Sequence, residues 1–142
     1  MDLDEFRERA AGEQGLVAVA TARADGSIQS TVVNAGVMPH PVSGAPVVAF
    51  VAAGPVKLGN LRARPWATVT VRTGWRWTTV EGSAELAGPD DALPGVDDVP
   101  ALLRAIFTAA GGTHDDWAEF DATMARERRA AVLVTPGRVY GV

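Results

Sequence analysis

The centre of the chain reads Gly54-Pro55-Val56-Lys57-Leu58-Gly59-Asn60-Leu61-Arg62-Ala63-Arg64-Pro65. We predict a short helix here, because Pro55 is tolerated in a first helical turn and Pro65 cannot continue the helix. Leu58 and Leu61, three residues apart, are expected to anchor one face. The free N–H groups at the helix start and the nearby Lys57 ammonium form a candidate anion site. A solvated basic helix face is the plainer interpretation, and the spacing alone leaves both open.

The composition is that of an ordinary globular protein. The chain has 142 residues, of which 47% are hydrophobic and 21% charged, so we expect residues 1–142 to form a single domain. The formal net charge of −4 argues against general nucleic-acid binding, which requires a broadly basic face. The absence of cysteine excludes disulfides and thiolate chemistry. His40 and His114 lie far apart in the sequence, so we expect no histidine-based metal site.

No membrane segment is expected either. No apolar run reaches the length that a transmembrane helix needs. The start, Met1-Asp2-Leu3-Asp4-Glu5, is acidic, whereas a signal peptide begins with basic residues. We therefore expect a cytoplasmic location and no membrane partner.

Hydrophobic periodicity predicts strands on both sides of the central helix. The predicted strands are 16–22, 28–38, 46–53, 67–72, 75–87 and a last strand in two pieces, 131–135 and 138–142, broken by Pro136-Gly137. Gly82 predicts a β-bulge. Helices are predicted at 2–11, along the stripe from Leu102 to Phe107, and after Thr113 as N-cap, with Arg126, Arg128 and Arg129 in the last turn. Short hairpin connections favour an α+β protein whose antiparallel sheet curls into a small barrel.

Two further features are candidates for binding. Asn34 is the one strongly polar residue of an apolar strand and needs a hydrogen-bond partner if it is buried. A surface position or a simple backbone contact is the plainer interpretation of Asn34. Trp75 and Trp77 are predicted to share one face of a strand, which is typical of a subunit interface or of contact with a flat aromatic ligand.

No catalytic residue emerges from the sequence. Trp117, Phe120 and Met124 are interpreted as core, and His114 as a structural or solvent-facing residue at a helix start. No nucleophile is placed beside a base by any recognisable motif. If the protein is an enzyme, we expect a cofactor to carry the difficult chemistry.

Motifs spread over nearly the whole chain resemble a known family. They are Lys57-Leu58-Gly59-Asn60-Leu61-Arg62-Ala63-Arg64-Pro65, Trp75-Arg76-Trp77-Thr78-Thr79-Val80-Glu81-Gly82-Ser83-Ala84-Glu85-Leu86, His114-Asp115-Asp116-Trp117, Glu127-Arg128-Arg129 and Val139-Tyr140-Gly141. In this order they are similar to the deazaflavin-dependent branch of the pyridoxamine 5′-phosphate oxidase-like proteins. The resemblance implies a six-stranded antiparallel split β-barrel with flanking helices, paired side by side in a homodimer with two cofactor clefts across the interface. That branch is associated with coenzyme F-420, and nearer oxidase relatives use FMN.

The resemblance also implies roles for particular residues. Lys57 would hold a cofactor phosphate, supported by Asn60 and the helix start. One strand segment (Thr31, Val32, Val33 and Asn34) and one strand end (Val51, Ala52 and Ala53) would flank the tricyclic ring. Trp77, supplied by the partner subunit, would close the cleft. These implications agree with the physics of the residues, since a phosphate suits a lysine at a helix start and a planar ring suits apolar strands.

The resulting hypothesis is a homodimeric oxidoreductase that passes hydride from reduced F-420 to a small unsaturated acceptor. Such a protein contributes positioning and exclusion of water, which a cleft with few ionisable groups can provide. An FMN-dependent oxidase or reductase on the same fold is one alternative. A non-catalytic protein that stores a flavin or deazaflavin is the other.

Overall fold

Six antiparallel strands close into a barrel in the computed structural model, which describes residues 2–142. The strands are β1 (Leu16–Ala22), β2 (Ile28–Pro39), β3 (Pro46–Ala52), β4 (Trp66–Thr73), β5 (Arg76–Ala87) and β6 (Ala130–Gly141). Their order around the barrel is β1-β2-β3-β6-β5-β4. The helices are α1 (Leu3–Gly12), α2 (Pro55–Ala63), α3 (Val99–Ala109) and α4 (Trp117–Arg126). The predicted α+β class and six-stranded barrel are confirmed.

The inside of the barrel is filled by apolar side chains of all six strands, and two helices add to this core. Phe6 of α1 is fully buried within it. Leu58 and Leu61 of α2 are buried in the same core, as their spacing predicted. The central helix therefore packs against the barrel through its leucines, and this packing fixes the position of its first turn.

A second apolar layer lies outside the barrel, between the sheet and the pair α3–α4. Leu102 and Ile106 of α3 and Phe120 of α4 pack there against Ala49 and Leu133, whose side chains point outward from β3 and β6. The helices leave the first half of β2 and the outer side of β1 exposed. Val32 on β2 is 69% exposed. The boundary between the covered and the open part of the barrel surface is where the candidate site lies.

The last strand is continuous, and the prediction of a break at Pro136-Gly137 is wrong. The β3 pairing ends at the pair Val48–Val134, so Pro136 has no strand on that side that requires its missing N–H. On the other side, the β5 register shifts between Glu81 and Gly82, which confirms the predicted bulge. A Cβ at Gly82 would lie 1.7 Å from the carbonyl oxygen of Thr135, so only glycine allows β5 and β6 to approach this closely.

Three boundaries differ from the prediction in ways that affect the site. Asp116 is the N-cap of α4, because its carboxylate accepts the N–H of Glu119 at 3.1 Å as the first turn begins, whereas Thr113 lies in the preceding loop. The helix ends at Arg126, which places Arg129 beyond its last turn, directly before β6. Trp75 lies in the β4–β5 turn and is 97% exposed, so it does not share a strand face with Trp77.

Within residues 2–142, no helix has both the length and the apolar character required to cross a membrane.

Candidate functional site

A cleft of about 550 Å³ opens where the exposed part of β2 meets α4. Strands form one wall, and α4 with the end of α3 and their connecting loop forms the other. Its lining residues are Val32, Val33, Asn34, Val51, Phe107, His114, Glu119, Phe120, Thr123, Met124, Glu127 and Arg129. The lining is therefore apolar along much of its length, and its charged groups are Glu119 in the first turn of α4 and Glu127 and Arg129 just after its end.

Four of the positions expected to flank a cofactor ring line this cleft together. Val32, Val33 and Asn34 come from β2, and Val51 comes from β3. They meet because β2 and β3 are antiparallel neighbours, with Ala35 paired to Phe50. Asn34 is exposed, and its Nδ2 donates a hydrogen bond to the carbonyl oxygen of Gln14 at 2.9 Å. The plainer interpretation of Asn34, a surface residue with a backbone contact, describes its present bonding.

The other predicted strand positions lie beside the cleft and do not line it. Ala52 is buried inside the barrel, and Ala53 follows the end of β3. Thr31 is half-buried on β2, and its Oγ1 is a fully buried polar atom that has no hydrogen-bond partner within residues 2–142. An unpaired buried hydroxyl is unfavourable in a free protein, so this position has an unused donor and acceptor.

Lys57 is the most unusual charged group of the region. Its side chain is only 8% exposed, and it makes no hydrogen bond or ion pair with any residue in the 2–142 range. Burial lowers the pKa of Lys57 below its ordinary value, and the positive charge of Arg129 lowers the pKa further. A largely buried lysine without a counter-charge is unfavourable in a free protein, and Arg129, whose own ion pair is with Glu127, adds a second positive charge nearby. The pair suits an anion that both cations can share.

Arg129 connects Lys57 to the cleft, because it lines the cleft and lies within electrostatic range of the lysine. Its Nε contacts Oε2 of Glu127 at 3.3 Å. The sequence interpretation assigned Arg129 to the last turn of a helix and so did not identify it as a site residue. Its position directly before the apolar strand Ala130–Gly141, after the helix has ended, is the signal that could have identified it.

Asn60 is hydrogen-bonded within the chain. Its Nδ2 donates to Oγ1 of Thr21 at 3.1 Å, and its Oδ1 accepts from Arg64 at 3.4 Å. Arg64 also donates from Nε to the carbonyl oxygen of Ala22 at 2.8 Å. These bonds tie α2 to β1, so Asn60 orients the helix that carries Lys57.

Trp77 lies on the opposite side of the barrel from the cleft. In the closed six-stranded order, β5 is three strands away from β2 in either direction. The indole packs edge-on against Tyr140, with ring centroids 5.9 Å apart. A subunit's own Trp77 is therefore too far round the barrel to close its own cleft.

The helical wall contains an aromatic cluster that the sequence did not predict as part of a site. Phe107, His114, Trp117 and Phe120 pack with ring centroids 5.1–6.1 Å apart. Phe120 and Trp117 are core residues, as predicted, and Phe120 also faces the cleft. A cluster formed by two helices and their connecting loop depends on how the helices cross, and the sequence spacing does not fix that crossing.

In the part of the chain that the structure describes, no group of three or more His, Asp or Glu side chains could hold a metal ion. The cleft instead combines apolar walls with Arg129 at one end, where Glu127 also lines it. Lys57 is not a lining residue and lies within electrostatic range of Arg129. Such a site suits a flat, largely apolar group that carries an anionic substituent.

Comparison with known proteins agrees with this architecture. A family model described as pyridoxamine 5′-phosphate oxidase matches residues 3–142. Among solved structures, a conserved hypothetical protein from Mycobacterium tuberculosis is similar with a TM-score of 0.70 and 19% identity, over 99% of this chain and 84% of that one.

Two other similar structures have descriptions that name a cofactor. An F-420 reductase has a TM-score of 0.59 and 20% identity, over 88% of each chain. A pyridoxamine 5′-phosphate oxidase-related, FMN-binding protein from Nostoc punctiforme has a TM-score of 0.63 and 14% identity, over 96% of this chain and 78% of that one. Identities this low support a shared fold and leave the cofactor of this chain to be argued from its own residues.

Proposed function

Because this chain belongs to the pyridoxamine 5′-phosphate oxidase family, we propose that its cleft binds coenzyme F-420 and that the protein is an oxidoreductase. In this proposal, reduced F-420 gives a hydride to a small unsaturated acceptor bound in the same cleft. The protein works as a homodimer in which the partner subunit completes each cleft.

The single observation that carries the proposal is the buried, unpaired Lys57 with Arg129 as its electrostatic neighbour. Charge-assisted hydrogen bonds from an ammonium or a guanidinium to a phosphate are among the strongest that proteins make. A phosphate placed between the two cations removes their mutual repulsion and returns a counter-charge to the buried lysine. The first turn of α2 adds backbone N–H groups that lack helical acceptors.

The ring of the cofactor is proposed to lie along the strand wall formed by Val32, Val33 and Val51, facing Phe107 and Phe120. These side chains bind through apolar contact and keep water away from the reacting carbon. When bound, the deazaflavin supplies two-electron hydride chemistry, for which the lining residues offer no substitute. The contribution of the chain is to hold ring and acceptor at a fixed distance.

A homodimer is supported by the exposed outer face of β1 and its neighbours. Two rows of paired positions cross this face, Val32–Ala18–Thr70 and Ser30–Ala20–Thr68. All six side chains are small or uncharged, and a neutral surface with one large exposed valine is typical of a protein interface. Val32 also lines the cleft, so a subunit seated on this face would form part of the cleft wall. Trp77 is proposed to reach the cleft from that partner.

The cofactor and the activity are tested separately. Purified protein is titrated with F-420 and with FMN while cofactor fluorescence is recorded, and we expect tighter binding of F-420. Protein loaded with reduced F-420 is then mixed with enones, quinones and tetrapyrroles, and we expect acceptor-dependent oxidation with at least one of these classes. Tighter binding of FMN would favour the FMN-dependent alternative. Tight binding of F-420 without oxidation by any acceptor would favour a storage protein.

A further inference from the structure

We propose that His114 donates a hydrogen bond from Nε2 to the oxygen of the acceptor on which negative charge develops during hydride transfer. The inference rests on the proposed function for its source of hydride. It assigns to one residue of the helical wall the stabilisation of charge that hydride transfer creates on the acceptor.

The backbone determines which nitrogen of His114 carries the proton. The N–H of Asp116 donates to Nδ1 of His114 at 3.0 Å. A ring nitrogen that accepts a hydrogen bond has no proton of its own, so the neutral ring carries its proton on Nε2. Because Asp116 is also the N-cap of α4, the loop that aims the imidazole is fixed by the start of the helix.

The orientation of the ring is fixed by its aromatic neighbours. The imidazole lies 5.7 Å from the rings of Trp117 and Phe120 and 6.1 Å from the ring of Phe107, measured between centroids. Contacts on several sides restrict rotation about the side-chain bonds. The Nε2–H bond therefore already points in one direction, and little side-chain entropy is lost when an acceptor binds.

The Nε2–H of His114 is an unused donor. No residue in the described chain accepts a hydrogen bond from it, and His114 lines the cleft. Thr31 Oγ1 is the one fully buried side-chain polar atom without a partner in residues 2–142, so Nε2 of the half-buried His114 is not fully enclosed by the protein.

His40, the other histidine of the chain, has a structural role in which both ring nitrogens are hydrogen-bonded. Nδ1 of His40 accepts the N–H groups of Val42 at 3.1 Å and Ser43 at 3.3 Å, which fixes the same tautomer. Its Nε2, however, lies 2.9 Å from Oε1 of Glu85 and is already engaged. His40 and His114 therefore share a tautomer and differ in whether Nε2–H is available.

The other polar groups of the strand and helix walls are less suitable donors. Asn34 uses one of its two Nδ2 N–H groups on the carbonyl oxygen of Gln14. Thr123 Oγ1 accepts from Arg126 at 3.3 Å and keeps its own proton, which rotates with the hydroxyl. Arg129, which donates from Nε to Glu127, is the charged donor proposed for the anion. His114 differs from these groups in combining a ring held by aromatic neighbours with a proton position that the backbone defines.

The reduction of 2-cyclohexenone, the acceptor used in the tests below, illustrates what this donor would do. Hydride adds to the β-carbon, the C=C electron pair moves towards the carbonyl oxygen, and the resulting enolate takes one proton from water. The hydride source is oxidised by two electrons in the same step. Negative charge develops on the carbonyl oxygen, and a preorganised donor stabilises it more than it stabilises the uncharged ground state.

The first test needs neither cofactor nor turnover. Long-range ¹H–¹⁵N correlation spectra of ¹⁵N-histidine-labelled protein should show both rings as the Nε2–H tautomer. Addition of 2-cyclohexenone should shift the His114 Nε2 signal and leave the His40 signals unchanged. An Nδ1–H tautomer for His114, or a His114 signal that does not respond to saturating 2-cyclohexenone, would overturn the proposal.

The second test uses the loaded enzyme and two variants. His114→Phe keeps an aromatic ring in the cluster and removes the donor, so we expect kcat with 2-cyclohexenone to fall by roughly 100-fold. His114→Gln retains a neutral N–H at a similar reach and should recover part of that loss. Cofactor affinity should stay within about twofold in both variants, because the proposed contact is to the acceptor.

The two proposals fail in different ways. If the wild-type protein binds neither F-420 nor FMN, the proposed function is wrong, and the tautomer and 2-cyclohexenone responses then report only whether His114 binds a carbonyl compound. If the wild type reduces 2-cyclohexenone and His114→Phe does so at the same rate, the His114 proposal is wrong and the proposed function stands.

Discussion

Among single residues, Lys57 is the one on which the proposed cofactor site depends. Its place at the start of a helix could be predicted, because Pro55 and Pro65 frame the helix and the leucine spacing assigns one face to the core. Its burial and its closeness to Arg129 could not be predicted, since Arg129 is distant in sequence and reaches the region only through β6. The sequence therefore identified Lys57 as a candidate anion-binding residue but did not reveal that Arg129 places a second positive charge near it.

We expect the unpaired charge of Lys57 to reduce the stability of the free protein. The folded-state pKa of Lys57 is lowered from its ordinary value of 10.5, chiefly by burial. Between the lowered pKa and 10.5, the unfolded chain binds the proton more tightly than the folded chain, so raising the pH favours folding. Below that window both states hold the proton and the full penalty is present.

The measurement is the free energy of unfolding of wild type and Lys57→Met in denaturant, at several pH values up to about 10.5. Lys57→Met should be at least as stable as wild type at neutral pH, and wild type should gain on it as the pH rises. Arg62→Met serves as a control, because Arg62 on the same helix is bonded to Asp91. A Lys57→Met protein that is clearly less stable than wild type at neutral pH would contradict the proposed penalty.

For individual strands and helices, the sequence pattern predicted the structure wherever residues close together in the sequence determine it. β1 has the predicted bounds, and the predicted bulge at Gly82 is present. The continuity of β6 was not predictable, because Pro136 is tolerated only where the pairing with β3 has ended. The start of α4 was also not predictable, because several polar residues near it could cap the helix. In the structure, Asp116 is the N-cap.

The bulge predicts a sharp contrast between two glycines. Gly82→Ala places a Cβ 1.7 Å from the carbonyl oxygen of Thr135, so we expect a loss of about 3 kcal/mol in the free energy of unfolding. Gly59 lies within α2 and has no atom within 4 Å of an added Cβ. Gly59→Ala should stabilise the protein by about 0.5–1 kcal/mol, because alanine favours the helix.

Chemical denaturation of both variants measures these differences directly. Equal effects of the two substitutions, or a Gly82→Ala protein as stable as wild type, would show that β5 and β6 do not approach as closely as described.

In the molecule as a whole, the two sides of the barrel have different surroundings. Its covered side carries α3 and α4, which form one wall of the cleft, and its open side offers a neutral surface that includes Val32. The barrel itself was predictable from strand number and short connections. The cleft was predictable only in its strand wall, because the helical wall depends on how α3 and α4 pack.

We expect the open side to be the dimer interface, with Ala18 near its centre. Ala18 pairs with Val32 on one side and Thr70 on the other, and it is exposed in the single chain. Ala18→Arg should convert a dimer to a monomer in light scattering coupled to size-exclusion chromatography, because two guanidinium groups would be brought together. Affinity for the cofactor should fall with it.

The matched control is Ala92→Arg, which adds the same charge in an exposed loop. We expect this variant to remain dimeric and to bind cofactor as wild type does. A wild-type protein that is monomeric at all tested concentrations would contradict the proposed interface.

The most direct test of the proposed cofactor site is the equilibrium affinity for F-420 of wild type, Lys57→Met and Arg62→Met, measured by fluorescence titration at one pH and salt concentration. If Lys57 makes a charge-assisted contact with the cofactor phosphate, Lys57→Met should weaken binding by about 1.5–3 kcal/mol, or roughly 10- to 150-fold. Arg62→Met should bind F-420 as tightly as wild type. Equal affinity of Lys57→Met and wild type would contradict the claim that this buried lysine holds the cofactor.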